Sequence, residues 1–269
     1  MKEFFLWLFE ERLEPFDINF FSFWHVFYML VIFGGAITAA ILIRKKSELL
    51  KERVCRGLII SAVSLYALDM FVMPLYVDGY SAHVDKLPFH ICTLMSIVAI
   101  FVQFNKRLSF LDEPVAFLSL VAPMMYICYP GPAIGEVSPF CYRIVQTFLY
   151  HGALFAWGFM RISTKAVAPN IKNCYKSLVC LLVIAVWAGF GNAVYADYGP
   201  NWFFLKGGII PLPEEIEPFF APIIVIVGIF GMVMTIYGIY YTTIAIMKKY
   251  SKAEEQTEVD AEEKTEITV

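Results

Sequence analysis

The sequence is short of charge. Asp, Glu, Lys and Arg make up 17% of its 269 residues, while 59% are hydrophobic. Soluble domains average about 25% charged and about 45–50% apolar. With a mean hydropathy of +0.65, this composition excludes an ordinary water-soluble domain and fits a polytopic membrane protein. The net charge of −3 gives no basic face, so it offers nothing for a nucleic-acid partner.

Metal-binding patterns are missing too. The six cysteines, at 55, 92, 128, 141, 174 and 180, form no CxxC pair and match no zinc spacing. No metal and no cofactor is expected. Cys128 and Cys141 flank one loop, where they would be either bridged or two buried thiols. The N-terminus carries Glu3, Glu10, Glu11 and Glu14 and lacks the positive region of a signal peptide. The first long apolar run is therefore expected to stay as a helix. There is no internal repeat.

What the sequence has is long apolar runs. A spanning helix needs about 20 mostly apolar residues. Seven segments qualify, at roughly 20–43, 57–77, 87–104, 109–128, 140–160, 175–196 and 217–247. They are too long and too evenly apolar for barrel strands, and lipid leaves helices as the other spanning solution. The expected fold is all-α, a polytopic membrane helical bundle of seven transmembrane helices over 20–247. Pro123 predicts a kink or an early stop in the fourth. Residues 1–19 form an outer interfacial segment, with Phe5, Leu8, Phe9 and Leu13 at helical spacing. Residues 248–269 are acidic, lack aromatics after Tyr250, and predict a disordered cytoplasmic tail.

Lys and Arg set the orientation. Sixteen of them fall in the loops after the first, third and fifth helices and in the C-terminal tail, against four on the other side. The N-terminus is expected outside and the C-terminus in the cytoplasm.

Titratable residues inside spans cost about 2.5–3.5 kcal/mol for Asp or Lys at a helix centre, and they face the bundle interior. His25, Asp69, His90, Cys92, Arg143, Gln146 and His151 fall inside, with Asn192 near an end. His25, Asp69, His90, Cys92 and His151 come from four helices and sit in the same half of the bilayer. A shared polar site is expected, although any one histidine could simply bond a neighbouring carbonyl.

His90 and Cys92 are two residues apart, which is about 200° of helix, so they cannot face each other. Cys92 follows Pro88 near a helix N-terminus, where the dipole favours a reactive thiolate. Its base would come from another helix, from His151 or His25, with Asp69 orienting it. Alternatively, Cys92 is a small buried apolar residue. Three weaker arrangements are haem held by His25, His90 and His151, an Asp69–Arg143 ion pair in a transporter, and a loop at 198–205 acting as a lid or an aromatic anchor.

With these residues on the page, the chain resembles the YwaF-like bacterial integral membrane proteins, grouped with the transmembrane protein 164 family. The resemblance rests on "LPFHIC" at 87–92, His25, His151 and "GPNWFFL" at 199–205. It covers roughly residues 20–245. It implies a multi-pass protein of the bacterial plasma membrane. The eukaryotic branch of the family is associated with Cys-dependent acyl transfer onto lysophospholipids, which implies a Cys–His pair at Cys92 and His151. Trp202 stands where the family pattern has Tyr.

The expected function is thus a membrane-embedded lipid acyltransferase or acyl hydrolase in an outer-leaflet cavity, with membrane lipids as substrate. Cys92 and His151 would be catalytic, supported by His25, Asp69, His90, Gln146 and Asn201. The alternative is a non-catalytic small-solute transporter or receptor with a polar intramembrane cavity.

Overall fold

The structure, a computed structural model, describes residues 18–76, 84–131, 135, 138–206 and 216–266. The interfacial helix expected at 2–16 lies outside these residues. The described chain is helical, and among the described residues only the isolated bridge Ile18–Gly135 has β character.

Among the described residues seven long helices follow one another: α1 (Phe23–Ile43), α2 (Glu48–Ala67), α3 (Ile91–Phe104), α4 (Asp112–Cys128), α5 (Tyr142–Ser163), α6 (Cys174–Val194) and α7 (Glu217–Glu266). They coincide with the seven apolar runs. α2 continues through a π turn, Leu68–Val72, into a last α-helical turn, Met73–Tyr76. Pro123 does not stop α4, which runs on to Cys128. α7 passes residue 247, and the backbone of the expected tail continues it to Glu266.

Local chemistry explains where the helices start. The hydroxyls of Ser22 and Ser47 accept from the backbone N–H of His25 and Leu50, capping α1 and α2. Asp112 and Glu113 occupy the first turn of α4 and Arg161 the last turn of α5, each at the favourable end of its helix dipole.

Among the described residues, five segments are long and apolar enough to cross a membrane: Phe23–Ile43, Glu48–Val72, Lys106–Cys128, Ile171–Val194 and Phe219–Lys249. α3 falls short by length. Its 14 residues rise about 21 Å, against a hydrocarbon core of about 30 Å. α5 is long enough at 22 residues but carries Arg143, Gln146, Thr147, His151 and Arg161.

α4 is the centre of the bundle. Every residue from Glu113 to Pro123 is buried. Its closest partner is α5. A Cβ on Gly158 would stand 2.6 Å from the Ala116 carbonyl oxygen and 2.8 Å from the Leu120 nitrogen. The two backbones therefore touch, as membrane helices do where a small residue permits it.

Three apolar clusters fill the interior. Phe117, Leu181, Trp202 and Tyr237 gather α4, α6, α7 and the loop at 201–205. Ile59, Cys92, Tyr150 and Trp157 gather α2, α3 and α5. Ile127, Ile144, Phe148 and Phe155 join α4 and α5 to α1.

The end of the bundle rich in Lys and Arg is fastened by buried polar groups. Arg161 pairs with Asp112 at 2.8 Å and with Glu52 at 3.8 Å. Gln103 donates to Glu52, and the Trp157 indole donates to Gln103. Beside them, Glu113 accepts from the Asn170 backbone N–H, the Asn173 amide and the Tyr237 hydroxyl. Arg161 thus belongs to the helix interior rather than to the loop where its charge places it in the sequence. Buried charges persist when paired in this way.

Candidate functional site

The short helix α3 begins within the bundle, so the irregular backbone before it has to be satisfied by protein. The Pro88 carbonyl accepts from the Trp187 indole at 2.8 Å, and the Lys86 carbonyl accepts from the Tyr66 hydroxyl at 2.8 Å. His90 is the extended N-cap residue, and its side chain does not cap. Its carbonyl takes Thr93 Oγ1 and the Leu94 N–H.

The side chains of "LPFHIC" then diverge. Phe89 points toward α6, with its ring centroid 5.0 Å from Trp187 and 4.6 Å from Trp202. A Cβ on Gly191 would lie 2.5 Å from the Phe89 ring. The two family motifs therefore pack directly against each other. Cys92 points the other way, buried in the cluster of Ile59, Ala62, Ala122 and Tyr150. The His90 ring lies 6.1 Å from Phe204.

The "GPNWFFL" segment is a tight loop. Asn192 accepts the Trp202 N–H at 2.9 Å and donates to the Trp202 carbonyl at 3.1 Å. Asn201 accepts the Lys206 N–H at 2.9 Å. Phe203 and Phe204 have φ of 58° and 53°, a left-handed backbone that a bulky residue adopts only under constraint.

His151 sits on α5 with its environment fixed on two sides. Its Nδ1 lies 2.7 Å from the Thr147 carbonyl. A carbonyl only accepts, so Nδ1 carries the hydrogen and Nε2 keeps its lone pair. Nε2 has no hydrogen-bond partner among the described residues. Tyr126 of α4 stacks on the ring, with centroids 3.9 Å apart and planes 10° from parallel. Tyr150 meets it edge-on at 4.8 Å.

Cys92 lies within coulombic reach of both phenols, Tyr126 and Tyr150, and His90 lies within coulombic reach of His151. Tyr150 packs in the same cluster as Cys92 and meets His151 edge-on, so it joins the two, while Tyr126 stacks on His151 from α4. Among the described residues, no hydrogen bond joins Cys92 to a histidine.

The other expected site residues are engaged elsewhere. His25 is fully buried. Its Nδ1 accepts the Phe21 N–H at 3.0 Å, so its Nε2 donates to the Ile127 carbonyl at 2.9 Å. Both nitrogens are used in tying the start of α1 to the end of α4. Asp69 lies in the π turn of α2, paired with Lys86 at 2.8 Å and facing the Tyr142 phenol. Gln146 donates to the Leu65 carbonyl at 3.1 Å, supplying a partner just before that π turn, where the regular ladder is disturbed. Cys128 and Cys141 are not bridged.

Sequence reasoning missed Tyr126, Tyr150, Thr147 and Ser96, because neutral hydroxyls do not stand out among 15 tyrosines. One signal was present: Thr147 precedes His151 by four residues, the same helix face. Among the described residues, no group of three His, Cys, Asp or Glu could hold a metal ion.

No curated protein and no solved structure shows a significant match to the chain. The family model described as "TMEM164 family" matches residues 20–237. That match runs from just before α1 into α7 and takes in both motifs and every expected site residue. The chain is a membrane protein that belongs to the TMEM164 family.

Proposed function

We propose that this protein is a membrane-embedded acyl-transferring enzyme, an acyltransferase or acyl hydrolase acting on lipid esters, with Cys92 as nucleophile and His151 as base. The observation that carries the reading is the tautomer of His151. Donation from Nδ1 to the Thr147 carbonyl leaves Nε2 as a base, oriented as a catalytic imidazole is by its hydrogen-bonded partner.

The chemistry balances. The Cys92 thiol gives its proton to His151 Nε2, and the sulfur attacks the ester carbonyl carbon. The C–O bond breaks, and the leaving alcohol takes the proton from Nε2. A second hydroxyl, from water or an acceptor lipid, then attacks the thioester and returns the thiol. Apolar walls on the Cys92 side suit an acyl chain. The thiol and Nε2 must come within hydrogen-bond reach when substrate is bound; such bonds often tighten only then.

The charge asymmetry supports a site toward the outer leaflet, with the C-terminus in the cytoplasm. In this reading His90 contacts substrate. His25 and Gln146 hold the scaffold through backbone carbonyls.

The test is turnover of lipid esters by the purified full chain in lipid nanodiscs. Cys92→Ala and His151→Ala proteins should each retain the parental thermal midpoint within a few degrees and lose turnover. Parental turnover in Cys92→Ala removes the reading.

A further inference from the structure

The two phenols that flank His151 differ in their hydrogen bonds. Tyr150 donates to Ser96 Oγ at 3.3 Å, and Ser96 in turn donates to the Thr93 carbonyl at 2.9 Å. The Tyr150 proton is therefore committed to α3. Tyr126 instead accepts from Thr147 Oγ1 at 3.3 Å. Thr147 is its one hydrogen-bond partner among the described residues, and with Thr147 as donor the phenol hydrogen is left for substrate.

Thr147 touches both members of the ring stack. Its carbonyl holds His151 Nδ1, and its hydroxyl holds the Tyr126 oxygen. The three residues form a closed unit across α4 and α5. The stack fixes the plane of the imidazole, and the Thr147 hydroxyl fixes the phenol oxygen. The phenol is also within coulombic reach of Cys92 and of Arg143. A phenol stacked on the base, with its oxygen held by Thr147 and its own hydrogen able to reach the substrate, is what a developing oxyanion requires.

We propose that Tyr126 is a further catalytic residue, donating its phenolic hydrogen bond to the carbonyl oxygen of the acyl ester while its ring positions His151. This rests on the acyl-transfer reading of Cys92 and His151. The hydroxyl is not consumed. As the sulfur adds, the carbonyl oxygen gains the electron pair and the phenol O–H shortens its contact with it. When the C–O bond breaks, the pair returns and the contact relaxes.

The experiment separates the two roles of the side chain. Full-length protein in lipid nanodiscs is reacted with p-nitrophenyl butyrate, whose attack makes an oxyanion, and with iodoacetamide, whose displacement at carbon makes none. Tyr126→Phe keeps the ring and removes the hydroxyl. It should slow acylation of Cys92 by about 100-fold, within the range for losing one oxyanion donor, through kcat rather than KM. Its alkylation rate at Cys92 should stay parental. Tyr126→Leu also loses the stack and should slow both reactions. Trp fluorescence and the thermal midpoint confirm that each variant is folded.

Parental acylation by Tyr126→Phe, with Cys92→Ala inactive, overturns the role of Tyr126 and leaves the acyl-transfer reading standing. An equal fall in acylation and alkylation in Tyr126→Phe also overturns it, since that pattern marks a packing effect. Acylation by Cys92→Ala at the parental rate overturns the underlying reading and this inference with it.

Discussion

Asn192 holds Trp202 by both polar atoms of its side-chain amide, accepting the backbone N–H at 2.9 Å and donating to the carbonyl at 3.1 Å. One side chain thereby closes the loop that roofs the start of α3. The loop backbone is left-handed at Phe203 and Phe204, so the clasp opposes a real tendency to relax. Trp202 is fully buried, and its indole presses on Phe89.

The clasp can be tested directly. Asn192→Asp keeps the acceptor but sets a carboxylate oxygen against the Trp202 carbonyl. Asn192→Ala removes both bonds and leaves buried backbone groups unpaired, at about 1–3 kcal/mol each. Both variants should lower the thermal midpoint and red-shift the Trp emission. An unchanged midpoint in both would show that the loop is held by its aromatic packing alone.

Gly191 admits the Phe89 ring. An alanine Cβ would sit 2.5 Å from Phe89 Cδ1, and Phe89 cannot retreat because Trp187 and Trp202 flank it. Gly191→Ala should destabilise by about 1–3 kcal/mol, the usual cost of overpacking. The paired variant Gly191→Ala, Phe89→Leu should recover part of that loss, read as thermal midpoints measured side by side.

His25 separates structure from chemistry. Its two nitrogens serve the Phe21 N–H and the Ile127 carbonyl. His25→Ala leaves both unpaired and opens a void, so stability should fall by about 2–5 kcal/mol. Turnover per folded molecule should change little. A large loss of turnover in a protein that keeps its thermal midpoint would make His25 part of the chemistry.

At the end of α5, Lys165 has φ of 62° and is exposed. Its N–H reaches the Ile162 carbonyl, and the Val167 N–H reaches the Arg161 carbonyl. Glycine is the natural residue at such a left-handed helix end. Lys165→Gly should raise stability by about 1 kcal/mol, because the penalty on the Cβ disappears. Equilibrium unfolding in detergent would read the gain.

The helices themselves were legible in the sequence. Apolar runs of membrane length leave one solution for the backbone, and each of the seven runs holds one helix. The 200° separation expected for His90 and Cys92 assumed that both lie in one helix; His90 is instead the extended N-cap residue, and only Cys92 lies in α3. The shortness of α3 was hidden. Its run was apolar from residue 87, but the chain at 87–90 is a turn that packs Phe89 toward α6, and the helix starts only after His90.

The partners of the polar residues were equally hidden. Which carbonyl a buried histidine meets depends on the rotation of two helices, and hydropathy does not encode it. His25 and His151 look alike in the sequence. Only their contacts separate a histidine with both nitrogens spent from one with a nitrogen to spare. At the other end of the bundle Arg161 read as a loop residue, because it lies one position past its apolar run, yet it is buried and paired with Asp112 and Glu52.

The contact of Gly158 with α4 has a consequence for His151. Two antiparallel helices keep a constant sum of facing residue numbers. Gly158 faces Ser119 and its neighbours, and His151 faces Tyr126; both pairs give the same sum. They lie seven residues apart, about 10 Å along the axis. The glycine works as a detent, letting α5 settle against α4 at one height only. Slippage by a single ridge would carry the imidazole past its tyrosine. Substitution at Gly158 would then be felt at His151 two turns away, as misalignment transmitted by rigid helices.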